Sequence, residues 1–245
     1  MRTVLLSSAA LVLGIGSAAA RVSIPLNGNI QAAVSAAPAG TVFNLAAGTW
    51  SGQQFLAKSN DQFIGASGGG TVFNGNGQSS PMIYNNGATG VVIKDLAVTN
   101  YQTGAQEAPI HTGANWSVIN VSSTGNGAAG LYVGGPNNLV QGGNYSGNGQ
   151  EGVAGSQANG STIENATISG NNTRNFDQGW EAGGLKITNT DGLTIRGNTV
   201  RNNNGNGIWG TSMTATGQLR TTASPTTPAT ASCMKYPTPR QSRTT

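Results

Sequence analysis

The residues best suited to chemistry gather between positions 173 and 186. Thr173-Arg174-Asn175-Phe176-Asp177-Gln178-Gly179-Trp180 runs directly into Glu181-Ala182-Gly183-Gly184-Leu185-Lys186. Asp177 and Glu181 are two carboxylic acids four residues apart, and a pair of carboxyl groups flanking a glycosidic bond can hydrolyse it. Lys186 offers a second chemistry. In β-elimination a base takes the proton next to a uronate carboxylate while a cation neutralises that carboxylate. Lys186 or His111 would be the base, and Arg196 or a calcium ion the neutraliser. A lysine base needs a value several units below about 10.4, reached by burial or by cationic neighbours. The plainer alternatives are a surface loop at 173–180, with Trp180 closing over a core, and a structural role for His111, the single histidine.

These residues sit on a repeat. Ser117-Val118-Ile119-Asn120, Asn138-Leu139-Val140-Gln141, Ser161-Thr162-Ile163-Glu164 and Gly192-Leu193-Thr194-Ile195 share one outline and return every 21 to 32 residues. Each is followed by an Asn/Gly turn and then by Gly130-Leu131, Gly152-Val153, Gly184-Leu185 or Gly207-Ile208. A weaker copy runs from Val91-Val92-Ile93-Lys94 to Pro109-Ile110. A fixed period of this size, built from short strands and turns, predicts a stacked solenoid whose repeats bury apolar residues against their neighbours. Strand side chains alternate faces. With Ile110, Leu131, Val153, Leu185 and Ile208 pointing in, His111, Tyr132, Ala154, Lys186 and Trp209 form an outward column. Parallel strands lie about 4.8 Å apart, so the column would span roughly 20 Å. Its aromatic rings suit the faces of sugars and its Lys suits their carboxylates; the alternative is a ladder with no ligand. The longest repeat carries the 173–180 insertion, and insertions between repeats form loops on one face, often the binding face.

Composition agrees with a coil of strands and turns. Charged residues are 8% of the chain, and 38 of 245 residues are Gly, which tight turns with positive φ require. Residues 21–210 hold seven Lys/Arg and eight Asp/Glu, a net charge of −1; the high pI comes from Arg220, Lys235, Arg240 and Arg243 beyond them. No clustered basic face marks a nucleic-acid partner. Arg2, the apolar run Val4–Ile15 and Ala18-Ala19-Ala20 have the pattern of a secretory leader, too short to span a membrane. Residues 1–20 are therefore read as a signal peptide and the protein as a secreted monomer. Cys233 is the only cysteine, so the body has no disulfide framework. The acids are scattered, and calcium wants six to eight oxygen ligands. The expectation is no cofactor, with calcium as the one alternative.

Near the N-terminus, Asn29–Ala36 has helical spacing and ends at Pro38-Ala39-Gly40. A helix before the first rung would cap the open end of the coil. The stretch Ile30-Gln31-Ala32-Ala33-Val34…Gly40-Thr41-Val42-Phe43…Ala47-Gly48-Thr49-Trp50 resembles the opening of the pectate-lyase-like superfamily, and the Ile-x-x-Asn and Asn-Gly-Ile rungs resemble the same group. The resemblance covers about residues 28–210. It implies an all-β, right-handed parallel β-helix with a short N-terminal capping helix. Its members include polysaccharide lyases, glycoside hydrolases, epimerases and non-enzymatic surface proteins, and the fold alone does not choose among them. No catalytic arginine or calcium cluster of the calcium-dependent lyases is matched here.

The pattern stops after Trp209-Gly210, and residues 211–245 are rich in Thr, Pro, Ser and Arg. Such a segment reads as a disordered tail. Read from the third base of each codon, however, Ala229 through Pro237 admits an Asn-Gly-Ile rung followed by His-Glu, and the tail is expected to be a frameshifted remnant of further coils. The reading of the whole is a β-helix over 21–210 that binds an extracellular polysaccharide. Asp177, Glu181 and Lys186 are the catalytic candidates, with His111, Tyr132, Trp180, Arg196 and Trp209 in contact with substrate. The alternatives are a non-catalytic cell-surface or adhesive β-helix and an inactive truncated remnant.

Overall fold

The computed structural model describes residues 18–180, 182–216 and 231–234. Most of the leader segment and most of the tail after Thr216 lie outside the described residues, so the leader and frameshift readings are not addressed by the fold. The chain winds as a right-handed parallel β-helix in which each coil supplies short strands to three faces. One face is a seven-stranded sheet running from Gly48–Ser51 through Thr71–Asn74, Ala97–Thr99, Ser122–Thr124, Asn144–Ser146 and Thr167–Ser169 to Thr199–Arg201. The other two faces belong to one twelve-stranded sheet because the 14-residue strand Gly183–Arg196 turns the corner between them. Its first half pairs with Glu151–Ser156 on the third face and its second half with Thr162–Glu164 on the first, the seven-stranded sheet being the second. Among the described residues every strand pairing is parallel, with Leu131 beside Val153, Leu185 and Ile208 in successive coils.

The core is three vertical stacks. Phe43, Phe63, Ile93, Val118, Val140, Ile163 and Ile195 line up behind the first face. Trp50 and Phe73 begin the second stack, and Phe55, Ile83 and Ile110 begin the third. All are buried. The aromatic residues cluster at the N-terminal end, where Phe43 and Phe63 stack at 5.2 Å and Phe55 tilts against Phe63 at 4.7 Å. The expected helix is present as Ile30–Ala36, with Asn29 as its N-cap accepting the Ala32 N–H at 2.8 Å. Ile30 and Val34 point into the core, and Lys58 Nζ donates to the last carbonyls, Ser35 and Ala37.

Turns repeat as faithfully as strands. The corner after the first face holds Asn120 at φ 52° and Gly142 at φ 66° in consecutive coils, a backbone that favours Gly and Asn. At the corner before the third face, Asn126, Asn148, Asn171 and Asn203 form a buried ladder. Each side-chain amide donates to the next Oδ1, at 3.0, 3.1 and 2.8 Å. The same oxygens accept backbone N–H groups of the coil below. Gly130, Gly152 and Gly184 of the Gly-aliphatic steps pack against this ladder. A Cβ on Gly152 would meet Ile168 Cγ2 at 2.5 Å and Asn171 Nδ2 at 2.7 Å.

The coil does not end at Gly210, where the apolar pattern fades. Strand Asn206–Thr216 stays paired with Gly183–Arg196 as far as Thr216, and Ala231–Met234 pairs with it in turn. Strand pairing uses backbone groups, so a Thr- and Ser-rich segment can continue a ladder that the apolar period no longer announces. An Asn148→Ala substitution would leave several buried polar groups of adjacent coils unsatisfied. The expected loss is about 3 kcal/mol, read as a lower urea midpoint at unchanged slope; an unchanged midpoint would mean that the ladder contributes nothing to stability.

Candidate functional site

The third face carries the site. Its outward column is set by register: His111 beside Tyr132, Tyr132 beside Ala154, Ala154 beside Lys186, and Lys186 beside Trp209. The bridges between Phe55, Ile83 and Ile110 extend the column two rungs further, to Tyr84 and Leu56. Tyr84, His111 and Tyr132 stack with centroids 4.7 and 4.4 Å apart. Ala154 then breaks the stack. Beyond it, Lys186 Nζ lies 4.9 Å from the Trp209 ring centre and 5.7 Å from that of Trp180. The two indoles meet edge to face at 6.2 Å.

The break at Ala154 is a pocket of about 290 Å³ lined by Tyr84, Gln106, Glu107, His111, Tyr132, Gly155, Lys186 and Thr188. Two loops border it. The segment 102–108 folds over one edge, where Gln106 Oε1 accepts Lys186 Nζ at 3.1 Å and the Gln106 N–H donates to Gln150 at 2.7 Å. The inserted loop 172–180 is fastened by Asn172, which exchanges hydrogen bonds with Phe176, and by Gln178 donating to Asn204. Arg174 donates to Gln102 and so ties the two loops together. A neighbouring depression of about 430 Å³ continues along Thr112, Gly134, Ser156 and Gln157.

Chemistry centres on Glu107 and His111. Glu107 Oε2 lies 2.7 Å from His111 Nε2, and the Ala108 N–H points at the same nitrogen at 3.3 Å. Burial pushes His111 down to about 4 and pushes Glu107 up from the usual carboxylate range. Tyr132 is raised as well, first by burial and then by the charges of Glu107 and Tyr84. Both shifts in the pair disfavour a separated imidazolium and carboxylate. The two groups have an alternative. A carboxylate can accept the Nε2–H, and uptake of one proton can leave a carboxylic acid donating to a bare Nε2, which then also accepts the Ala108 N–H. The pair can therefore take up or release a proton without becoming an ion pair.

The residues singled out from the sequence divide into three groups. His111, Tyr132 and Lys186 line the pocket, and Trp209 and Trp180 extend it past Lys186. Asp177 does not join them. It is exposed, and its Oδ1 caps its own turn by accepting the Gly179 N–H at 2.8 Å. Arg196 is also elsewhere: it ends the half of its strand that belongs to the first face, with Nε 2.6 Å from Glu164 Oε2. The Gln141 amide, and after it Arg196, hold Glu164 below the usual carboxylate range. Arg196 therefore cannot serve as the neutraliser at the pocket. Glu181 lies outside the described residues. Missed from the sequence were Tyr84, whose place one step past Ile83 was legible, and Gln106 and Glu107, whose loop has no counterpart in the other repeats. Glu151, fully buried three residues before Ala154, was missed too. Among the described residues no group of three or more His, Cys, Asp or Glu is placed to hold a metal ion.

His111 gives the site a readable pH signature. Its unfolded value is near 6.5 and its folded value near 4, so between these the unfolded chain binds more protons and stability falls as the pH drops. Glu107, raised, contributes with the opposite sign: the folded chain holds its proton to higher pH. Because the chain has one histidine, its imidazole NMR signals report the pair directly. They are expected to remain those of a neutral ring from pH 8 down to about 5. A midpoint at or above 6.5 would mean that Glu107 stabilises an imidazolium and would overturn the neutral pair.

Residues 110–222 match the family described as right handed beta helix region. No curated protein matches the chain. Among solved structures, the A-module of the Azotobacter vinelandii mannuronan C-5 epimerase AlgE4 is similar at 16% identity over 77% of this chain and 83% of that one, with a TM-score of 0.37. The A-module of AlgE6 from the same organism matches at 17% identity over 79% and 83%, with a TM-score of 0.35. The tailspike gp49 of Acinetobacter baumannii bacteriophage Fri1, a capsular polysaccharide depolymerase, matches at 15% identity over 71% of this chain and 44% of that one, with a TM-score of 0.45. The in-register parallel pairing of coil upon coil, together with the match over residues 110–222, makes the chain a right-handed parallel β-helix protein.

Proposed function

We infer that the protein is secreted and binds an extracellular polysaccharide along the third face, processing it at the Ala154 pocket. The observation that carries this reading is the column itself: stacked rings on one side, a gap at Ala154, and a cation with two indoles on the other. Soluble proteins rarely expose large apolar side chains in a cluster without a partner. Tyr84 is 48% exposed and Trp180 66% exposed, and they stand at opposite ends of the pocket. Ring faces of this kind offer the apolar faces of sugars a platform, and a few convergent polar groups fix orientation.

The pocket favours proton transfer at a uronate residue over hydrolysis. Hydrolysis needs two carboxyl groups about the bond, and among the described residues lining the pocket Glu107 is the one acid. In elimination, the Glu107–His111 pair takes the proton next to the sugar carboxylate, while Lys186 offsets the charge that develops there. The electron pair left on carbon forms the new double bond as the glycosidic carbon–oxygen bond breaks, and the departing oxygen is protonated by Tyr132 or water.

Incubation with polyuronates and neutral glycans, followed by new reducing ends and by absorbance of unsaturated products, tests this. Both signals are expected on a polyuronate. Glu107→Gln should lower the rate about 100-fold or more, the range for loss of a general acid–base group, with the circular dichroism unchanged. Lys186→Ala should lower both rate and affinity. Reducing ends without absorbance would replace elimination with hydrolysis. Binding without turnover would leave the non-catalytic reading, and no binding to any glycan would remove the polysaccharide reading altogether.

A further inference from the structure

The column does not stop at the pocket. Leu56 and Tyr84 occupy its first two rungs, next to His111, and both side chains are about half exposed, at 46% and 48%. Beside them lies a second depression of about 350 Å³, lined by Gln31, Gln54, Phe55, Leu56, Pro81 and Tyr84. Its walls differ from those of the Ala154 pocket. Leu56, Phe55, Pro81 and the Tyr84 ring are apolar, the two polar residues are neutral amides, and none of the described residues lining it is charged. The capping helix helps to build it: Gln31 Oε1 accepts the Leu56 N–H at 2.8 Å. This fixes Leu56 at the edge of the helix with its side chain exposed.

Exposed apolar residues mark ligands only when they gather. Among the described residues the large exposed hydrophobics are Leu26, Leu56, Tyr84 and Trp180. Two of these four are adjacent rungs of one column, and a third stands at that column's far end. Tyr84 lines both depressions, so a chain lying in the cleft passes from one into the other over its ring.

We propose that the Leu56–Pro81–Tyr84 depression is a subsite for an acetylated sugar of the same polysaccharide. The Leu56 rung stands four strand spacings from the Ala154 rung, roughly 19 Å. A bare sugar stacked on Tyr84 leaves hydroxyl groups facing Leu56 and Pro81, where they lose hydrogen bonds to water and gain none. An acetyl group reverses that balance. Its methyl lies against Leu56 and Pro81, and its carbonyl can accept from the Gln54 amide. One buried methyl and one modest hydrogen bond together amount to a preference on the order of tenfold. The proposal rests on the polysaccharide reading above.

The test uses matched oligosaccharides: acetylated xylan and O-acetylated polymannuronate fragments, each before and after saponification, titrated into the full chain by calorimetry. The wild type is expected to bind an acetylated form about tenfold more tightly than its saponified partner. Leu56→Ser should abolish that difference by lowering the affinity for the acetylated form to that of its saponified partner. Leu56 is exposed, so its loss should not unfold the coil; Gln54→Ala, also at an exposed position, should give a partial loss of the preference. Equal binding of both forms by the wild type overturns the subsite, as does a preference that survives Leu56→Ser. If saponified fragments bind in a Lys186-dependent way without any acetyl preference, only the subsite falls. If neither form of either glycan binds, the whole cleft reading falls with it.

Discussion

The cleft depends on the buried amide ladder at the corner before the third face. Asn126, Asn148 and Asn171 each bridge to the next coil through side chain and backbone, ending on Asn203, and seal polar groups that would otherwise be stranded in the core. A buried polar network is costly when incomplete and specifying when complete. Here it locks the vertical register of the corner. The Gly-aliphatic step follows within a few residues, with Gly152 pressed against Asn171 and Ile168. One residue of slip would turn Leu131, Val153 and Leu185 outward and bury Tyr132 and Lys186. The amides therefore decide which side chains reach the cleft, although none of them lines it.

Local departures from the repeat then shape a regular face into a site. Ala154 is the smallest residue of its column, and its rung becomes the pocket because Tyr132 and Lys186 on either side are large. The two loops that wall it are the places where the coil lengthens, at 102–108 and at 172–180. They are joined to each other through Arg174 and Gln102 and to the column through Gln106 and Lys186. A solenoid held by nearest-neighbour contacts tolerates such insertions because they do not disturb the stack. Loops built on a rigid scaffold are where binding groups accumulate.

Electrostatics follow the same division. On the first face the carboxylate of Glu164, a buried side chain, accepts from the Gln141 amide and from the largely exposed Arg196. The third face places His111 between two tyrosine rings and beneath Glu107, where burial controls protonation. The partners make the difference: the Gln141 amide and Arg196 favour the charged form of Glu164, whereas desolvation beside a neutral imidazole disfavours that of Glu107.

The sequence alone determined the fold and the column. Aliphatic residues two apart, Asn/Gly turns and a recurring Gly-aliphatic step are local patterns, and in a parallel stack a local pattern dictates the vertical neighbour. His111, Tyr132, Ala154, Lys186 and Trp209 could therefore be aligned by counting. The tertiary structure decided what counting along one column cannot reach. Asp177 looked catalytic by proximity to Lys186, yet its carboxylate closes its own turn. Arg196, ten residues after Lys186, is carried around a corner to another face. Glu107 and Gln106 arrive from a loop without a repeat, and their partners, His111 and Lys186, are set by how that loop folds over the coil. Position along a rung is encoded locally, whereas contact between a loop and a face depends on the path of the whole coil.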